Sequence, residues 1–180
     1  MIVNAVVPAA GLGLRLGAAV PKPLVKLGRS PILAHTINAL SVNDCIKRII
    51  IAVSKDDLGR FKEALGRSLR GKKVELIAGG ATRKDSVKNC LAKVSEEADI
   101  VLIHDAVRPF INPGLINALI FEALKNRAEV CGVPVKATVK IIDSDSYISA
   151  TLDRRNLWEI QTPQVFQREI IVNAYAKFAH

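Results

Sequence analysis

Short β-branched runs alternate with stretches of helical period along most of the chain, and that alternation admits few folds. Ile2 to Val7 is an uninterrupted apolar run of strand length, the pattern of a strand buried on both faces. Pro31 to Leu40 then reads as a helix, with proline in its first turn and Leu33, Ile37 and Leu40 on one side. Lys47 to Val53, Lys73 to Ala78, Asp99 to His104 and Glu129 to Val135 repeat the strand pattern. Between them lie helical stretches at Asp56 to Leu69, at Arg83 to Val94, and after Asn112-Pro113, where Leu115, Ile116, Leu119, Ile120 and Ala123 share a face. Thr82 and Asp85 have the spacing of a capping box. Repeated β-α-β units predict an α/β fold, a mostly parallel, Rossmann-like sheet with helices on both faces, in one domain spanning residues 1–180.

In such a sheet, ligands bind beyond the carboxyl ends of the strands. Those ends carry Pro8 to Arg15, Gly79-Gly80 and Asp105 to Arg108, three polar or glycine-rich loops on one edge. The alternation stops after Val135. Thr138 to Ile142 and Tyr147 to Leu152 are strand-like around the turn Asp143 to Ser146, which predicts a hairpin outside the βα rhythm. It is either a surface hairpin or an arm that reaches a second subunit.

Composition narrows the function. Lys and Arg number 26 against 17 Asp and Glu, a net charge of +9, which suits anionic partners. Aromatics are only 4% and the cations are dispersed, whereas a single-strand nucleic-acid track needs stacking rings beside its charges. A nucleic-acid partner is therefore disfavoured; a phosphorylated small molecule suits the charge, and most of the cations read as a solvated basic surface. No apolar run approaches the ~20 residues of a membrane helix, and no secretory leader pattern opens the chain. Cys45, Cys90 and Cys131 are odd in number and show no C-x-x-C spacing, against a disulfide framework or a zinc site and in favour of a reducing cytoplasm.

The first loop, Ala9-Ala10-Gly11-Leu12-Gly13-Leu14-Arg15, lacks the third glycine of the dinucleotide fingerprint, because Leu16 stands there, and the chain has no Gly-Lys-Ser/Thr of a P-loop. What remains is a loop of small residues whose amides can approach a phosphate closely. Arg15 follows it, and Lys22 sits within Pro21-Lys22-Pro23. The prolines make a stiff, non-helical mount for a cation that must meet developing negative charge.

Pro8-Ala9-Ala10-Gly11-x-Gly13-x-Arg15 followed by Pro21-Lys22 resembles the opening of the sugar nucleotidyltransferases. Gly79-Gly80-x-x-Arg83-x-x-Ser86, His104-Asp105-Ala106-Val107-Arg108-Pro109 and Leu157-Trp158-x-x-Gln161-Thr162-Pro163-Gln164 follow in order. Together they resemble the 2-C-methyl-D-erythritol 4-phosphate cytidylyltransferases, the IspD family of the non-mevalonate isoprenoid pathway, from Ile2 to about Ala176.

The resemblance implies a cytidylyl transfer from CTP to methylerythritol phosphate with release of pyrophosphate, in the presence of Mg²⁺. Ala9, Ala10, Gly11 and Gly13 would cradle the triphosphate. Arg15 and Lys22 would stabilise the pentacoordinate phosphorus. Gly79, Gly80, Arg83, Ser86 and Ala106 would take the cytidine, with glycine expected for close backbone approach to a flat base. Ala81 stands where many relatives carry an acid. Asp105 would meet the metal and the acceptor, and Arg108 the acceptor phosphate. His104 reads as a packed or hydrogen-bonding residue, not a general base. Thr138, Arg154 and Thr162 match acceptor positions, with Arg154 preferred to Arg155 because it follows Asp153 as in the family's Asp-Arg pair. The hairpin, at about 138–155, would carry Thr138 and Arg154 into the active site of the other subunit of a homodimer.

The family's later strand bearing Asn-Ile-Lys has no counterpart in this sequence. The expectation is a fragment or a shortened relative that lacks one acceptor cation. Two other readings stand beside the cytidylyltransferase: a ribitol 5-phosphate cytidylyltransferase, which shares His-Asp-Ala-Val-Arg-Pro but is disfavoured by Leu157-Trp158, and a CTP-binding module or nucleotide sensor with little turnover.

Overall fold

The computed structural model describes residues 1–11, 20–70 and 73–177. Its centre is a six-stranded sheet made of β1 (Val3–Pro8), β4 (Ile46–Val53), β5 (Lys73–Ala78), β6 (Ile100–Ile103), β7 (Ala128–Pro134) and β10 (Trp158–Gln167). The order across the sheet is β5-β4-β1-β6-β10-β7. The first four are mutually parallel, as the β-α-β rhythm predicts. β10 is antiparallel to both β6 and β7.

Burial on both faces explains the unbroken apolar runs. Val3, Ala5 and Val7 of β1, with Ile49, Ile51 and Val53 of β4, pack on one side against α1 (Ile32–Ser41), α2 (Leu58–Leu65) and α4 (Pro113–Asn126). Val6, Ile50, Ala52, Val101 and Ile103 point to the other side, against α3 (Arg83–Leu91) and α5 (Arg168–Lys177). Ile49, Ile50 and Ile51 are each fully buried, worth roughly 1.5–3 kcal/mol apiece. The one polar residue inside β1, Asn4, accepts a hydrogen bond from the amide of Ser95 at 3.1 Å, which satisfies it.

Three expectations need correction. The stretch 56–69 is not one helix: α2 ends at Gly66, whose φ of +34° leaves the helical region, and 3-10 turns flank it at Lys55–Asp57 and Gly66–Leu69. The helix opened at Arg83 stops at Leu91 and does not run to Val94. The strand expected at 129–135 is β7, but it pairs antiparallel with β10 at the sheet edge. β10 takes the place beside β6 that a simple βαβ continuation would have given it.

Two short antiparallel pairs complete the described fold. β2 (Lys26–Leu27) and β3 (Ser30–Pro31) lie before α1. β8 (Lys140–Ile142) and β9 (Ile148–Thr151) form the hairpin expected after Val135. Ile141, Ile142, Tyr147 and Ile148 of that hairpin are all exposed. Among the described residues no helix is long and apolar enough to cross a membrane.

Candidate active site

After β1 the chain moves to β4 on one side, and after β6 it moves through α4 to the other side. The loops leaving neighbouring strands β1 and β6 therefore part in opposite directions, the arrangement that opens a crevice at strand carboxyl ends. Sheet hydrogen bonds continue into these loops: Ala9 N–H donates to Ala52 C=O at 2.7 Å, Gly79 N–H to Val53 C=O at 2.7 Å, and His104 N–H to Val6 C=O at 2.9 Å. The loop positions thus follow from strand register.

The crevice is a cleft of about 330 Å³. Pro8 to Gly11 form one wall, with Lys22 and Pro23 beside them. Gly80 to Arg83 and Ser86 form the second wall, and Asp105 to Val107 the third. The three loops singled out in the sequence meet here. Gly13 and Arg15 lie outside the described residues.

Each side chain has a local cause for its place. Lys22 opens a 3-10 turn whose next two residues, Pro23 and Leu24, are buried while Lys22 itself stays exposed. Leu24 N–H donates to Pro21 C=O at 2.8 Å and closes that turn. Arg83 is the first residue of α3, fixed by the expected capping box: Asp85 N–H donates to Thr82 Oγ1 at 3.1 Å and Thr82 N–H to Asp85 Oδ2 at 3.0 Å. The bonds from Thr82 hold the Asp85 carboxyl below its usual range.

Gly79 and Gly80 are required by the protein itself. A Cβ on Gly79 would sit 2.5 Å from Ala10 Cβ and 2.8 Å from Ser86 Oγ, and one on Gly80 would sit 2.2 Å from Asp85 Cβ. The expected reason, close approach to a base, is therefore joined by a stricter one: this turn packs against the glycine loop and the start of α3. Gly79 does not line the cleft; it stands behind it. Ser86, only 2% exposed, accepts from Gly80 N–H through Oγ at 3.1 Å and so holds the turn from beneath.

Asp105 is the charge centre. Arg83 donates through NH2 to its Oδ1 at 3.0 Å, and Arg108 through Nε to its Oδ2 at 3.1 Å. Arg108 also reaches Gln161 Oε1 at 3.4 Å. Thr162 Oγ1 accepts from Asp105 N–H at 3.2 Å, which puts Thr162 beneath the loop. Thr36, fully buried on α1, donates to Ala106 C=O at 2.9 Å. Sequence reading gives neither Thr36 nor Gln161 a supporting role: Thr36 has no charge or spacing that marks it, and Gln161 stands out only as part of the Gln161-Thr162-Pro163-Gln164 motif.

Asp105 is the one carboxylate among the described residues lining the cleft, and these residues hold no group of three or more His, Cys, Asp and Glu able to bind a metal. Each of its oxygens keeps a lone pair after meeting an arginine. A single carboxylate fits a Mg²⁺ that keeps water and phosphate oxygens as its other ligands, and does not fit a metal held by protein alone.

Thr138 and Arg154 do not join this cleft within the chain. Both are exposed. Arg154 NH1 donates to Lys136 C=O at 2.5 Å, at the base of the hairpin. Arg155 is committed elsewhere: its Nε and NH2 both bind the Asp153 carboxylate, at 2.9 and 2.5 Å. Of the two neighbouring arginines, Arg154 has the less occupied guanidinium.

A model of the family described as IspD, 2-C-methyl-D-erythritol 4-phosphate cytidylyltransferase, matches residues 3–180. Enzymes of that name from Clostridioides difficile and Desulforamulus reducens are 38% and 40% identical; the matches cover 96% and 95% of this chain and 72% and 74% of theirs. The crystal structure of 4-diphosphocytidyl-2C-methyl-D-erythritol synthase from Anaerococcus prevotii superposes with a TM-score of 0.83 at 30% identity, over 99% of this chain and 76% of that one. With the glycine loop, the Gly-Gly turn and the Asp105 loop meeting at one cleft, the chain belongs to the 2-C-methyl-D-erythritol 4-phosphate cytidylyltransferase family.

Proposed function

We propose that the chain, as one nucleotidyltransferase domain, transfers a cytidylyl group from CTP to 2-C-methyl-D-erythritol 4-phosphate. An oxygen of the acceptor phosphate forms a bond to the α-phosphorus of CTP. The bond from that phosphorus to the bridging oxygen breaks, and pyrophosphate leaves with the electron pair. The nucleophile is already anionic, so no general base is needed. The observation that carries this reading is the cleft itself, with small-residue backbone and Lys22 on one wall and, facing it, a single carboxylate, Asp105, paired with Arg83 and Arg108.

In this reading the amides of Ala10 and Gly11, with Gly13, meet the triphosphate, and Ala9, whose N–H is held by Ala52 C=O, shapes the loop that presents them. Lys22 and Arg15 oppose the charge that grows on the α-phosphate oxygens, where a prepositioned cation is worth most. Gly80, Ser86 and Ala106 hold the cytidine, and Gly79 sets the turn. Arg108 and Thr162 serve the acceptor side. A Mg²⁺ arriving with CTP would use Asp105 as its protein ligand and supply neutralisation of phosphate charge.

The hairpin supports a homodimer. An isolated two-stranded ribbon is marginal in water, and this one exposes Ile141, Ile142, Tyr147 and Ile148. A partner covering it would bring Thr138 and Arg154 to a neighbouring cleft, where guanidinium binds phosphate through two parallel bonds. The free thiols Cys45, Cys90 and Cys131 suit a reducing cytoplasm.

The deciding experiment measures pyrophosphate release from CTP, ATP and GTP with methylerythritol phosphate or ribitol 5-phosphate, with and without Mg²⁺. Release from CTP with methylerythritol phosphate and Mg²⁺ is expected. Preference for ribitol 5-phosphate would move the chain to the other acceptor. Binding of CTP without release under any pairing would reduce it to a nucleotide-binding module.

A further inference from the structure

The loop carrying Asp105 and Arg108 lies outside the regular elements, yet three side chains, two of them from β10 and α1, fix its backbone. Thr162 of β10 accepts from Asp105 N–H at 3.2 Å, and Thr36 of α1 donates to Ala106 C=O at 2.9 Å. Arg108 N–H closes back on Asp105 C=O at 3.2 Å. The last tie is His104, at the end of β6, whose Nε2 lies 3.0 Å from Arg108 C=O. A carbonyl only accepts, so Nε2 carries the hydrogen and donates it.

His104 is suited to this task and to no proton transfer. It is 1% exposed, and its Nδ1 is buried without a hydrogen-bond partner among the described residues. Its single ring N–H is spent on a backbone carbonyl. The residue's backbone is anchored by the sheet, through the His104 main-chain N–H to Val6 C=O at 2.9 Å. The carbonyl it grips belongs to the residue whose guanidinium spans Asp105 and Gln161.

We infer that His104 is a positioning residue for acceptor handling: its Nε2–H fixes the Arg108 carbonyl and so aims the Arg108 guanidinium, beside Asp105, at the phosphate of the acceptor. This rests on the reading under Proposed function and adds to it a residue that touches neither substrate. Thr36 and Thr162 hold the near half of the loop; at its far end Arg108 N–H turns back to Asp105 C=O, and among the described residues His104 is the side chain that ties the Arg108 carbonyl, where the cation leaves the backbone.

The test compares His104→Leu, which removes the donor, with His104→Gln, whose side-chain amide can place an N–H near the former Nε2. For each, kcat and KM for methylerythritol phosphate, Kd for CTP, melting temperature, and amide hydrogen exchange over residues 105–108 are measured. His104→Leu is expected to lower acceptor kcat/KM by ~10–100-fold, the scale of a misaimed contact. CTP affinity should stay within ~2-fold, the mark of a loss confined to the acceptor side. Exchange at 105–108 should quicken, and His104→Gln should return both readouts most of the way. Equal loss in the two variants, or a fall in CTP affinity matching the fall in acceptor use, overturns the inference and leaves His104 a packing residue. If the unmodified chain turns over no acceptor, the proposed reaction fails on its own account. Exchange and phosphate binding by the two variants then decide the His104 tie separately: unchanged exchange in His104→Leu overturns it.

Discussion

Arg83 and Asp105, 22 residues apart, meet at 3.0 Å across the mouth of the cleft. The contact ties the first residue of α3 to the loop after β6, two walls of the cleft. Both side chains are partly exposed, 50% and 30%, so the pair adds little to stability. Its value is geometric: with Arg108 on the other oxygen, the Asp105 carboxylate is held in one orientation before any ligand arrives.

Removing that charge should separate activity from folding. Asp105→Asn leaves the loop's backbone bonds to Thr162 and Thr36 in place while loosening both arginines. Turnover should fall by ~100-fold or more, the scale of losing a prepositioned electrostatic group. Stability should change by no more than ~1 kcal/mol, as for exposed pairs. Steady-state kinetics and thermal melting read the two separately. A large loss of melting temperature with modest loss of turnover would make Asp105 a structural residue.

The glycines divide by the same logic. Gly79→Ala forces a Cβ to 2.5 Å from Ala10 Cβ; overpacking of this kind costs typically ~1–3 kcal/mol, and CTP binding should weaken with it. A Cβ on Gly11 meets nothing within 4 Å among the described residues. Gly11→Ala should therefore melt near the parent temperature while losing CTP affinity, because only the ligand needs that space. Comparable unfolding of both variants would remove the distinction.

This contrast shows what the sequence conveys and what it withholds. Small residues and charges at strand ends were enough to mark the three loops, because strand register alone delivers strand ends to one edge. Whether a glycine faces ligand or protein depends on a neighbour 69 positions away, as Ala10 does for Gly79, and no local pattern records that. β10 was hidden for another reason. Gln161-Thr162-Pro163-Gln164 interrupts its apolar pattern, and the register shift between Ile160 and Gln164 absorbs the proline inside the sheet, one of the few places a strand accepts it. Thr36 was illegible as a support, and His104 was legible only as a packed or hydrogen-bonding residue without its partner, because each acts on a backbone carbonyl, which has no sequence signature.

The α3 cap offers a pH-dependent check. Asp85 has its folded pKa lowered, chiefly by the side-chain bond with Thr82. A lowered carboxyl pKa gives stability that is present above the unfolded value near 3.8 and is lost as pH falls through the folded value. Thr82→Ala should cost ~1 kcal/mol at neutral pH, the usual worth of an N-cap. The gap between parent and variant, followed by denaturant titration from pH 7 to pH 3, should narrow as Asp85 protonates. A gap that stays constant to pH 3 would show that the carboxylate takes no part in the cap.

The hairpin prediction bears on the assembly of the site. Arg154 lies at the base of an exposed arm, bonded to Lys136 C=O at 2.5 Å, and stays out of its own chain's cleft, whereas Lys22 lines that cleft. If the arm serves a neighbouring subunit, Lys22→Ala should lower turnover by ~100-fold or more with a smaller effect on CTP binding, since its contact strengthens in the transition state. Arg154→Ala should raise the KM for methylerythritol phosphate and leave CTP binding nearly intact. Each mutant homodimer then has two damaged sites. A mixed dimer has one cleft with Lys22 intact and the partner's arm bearing Arg154, and a second cleft with both cations missing. Mixing equal amounts under exchange should therefore restore activity toward ~25% of the parent, because half of the dimers are mixed and each offers one whole site of two. Mixing that restores nothing, with exchange verified by differently labelled chains, would mean that Arg154 acts within its own chain and that the hairpin is no shared element of the site.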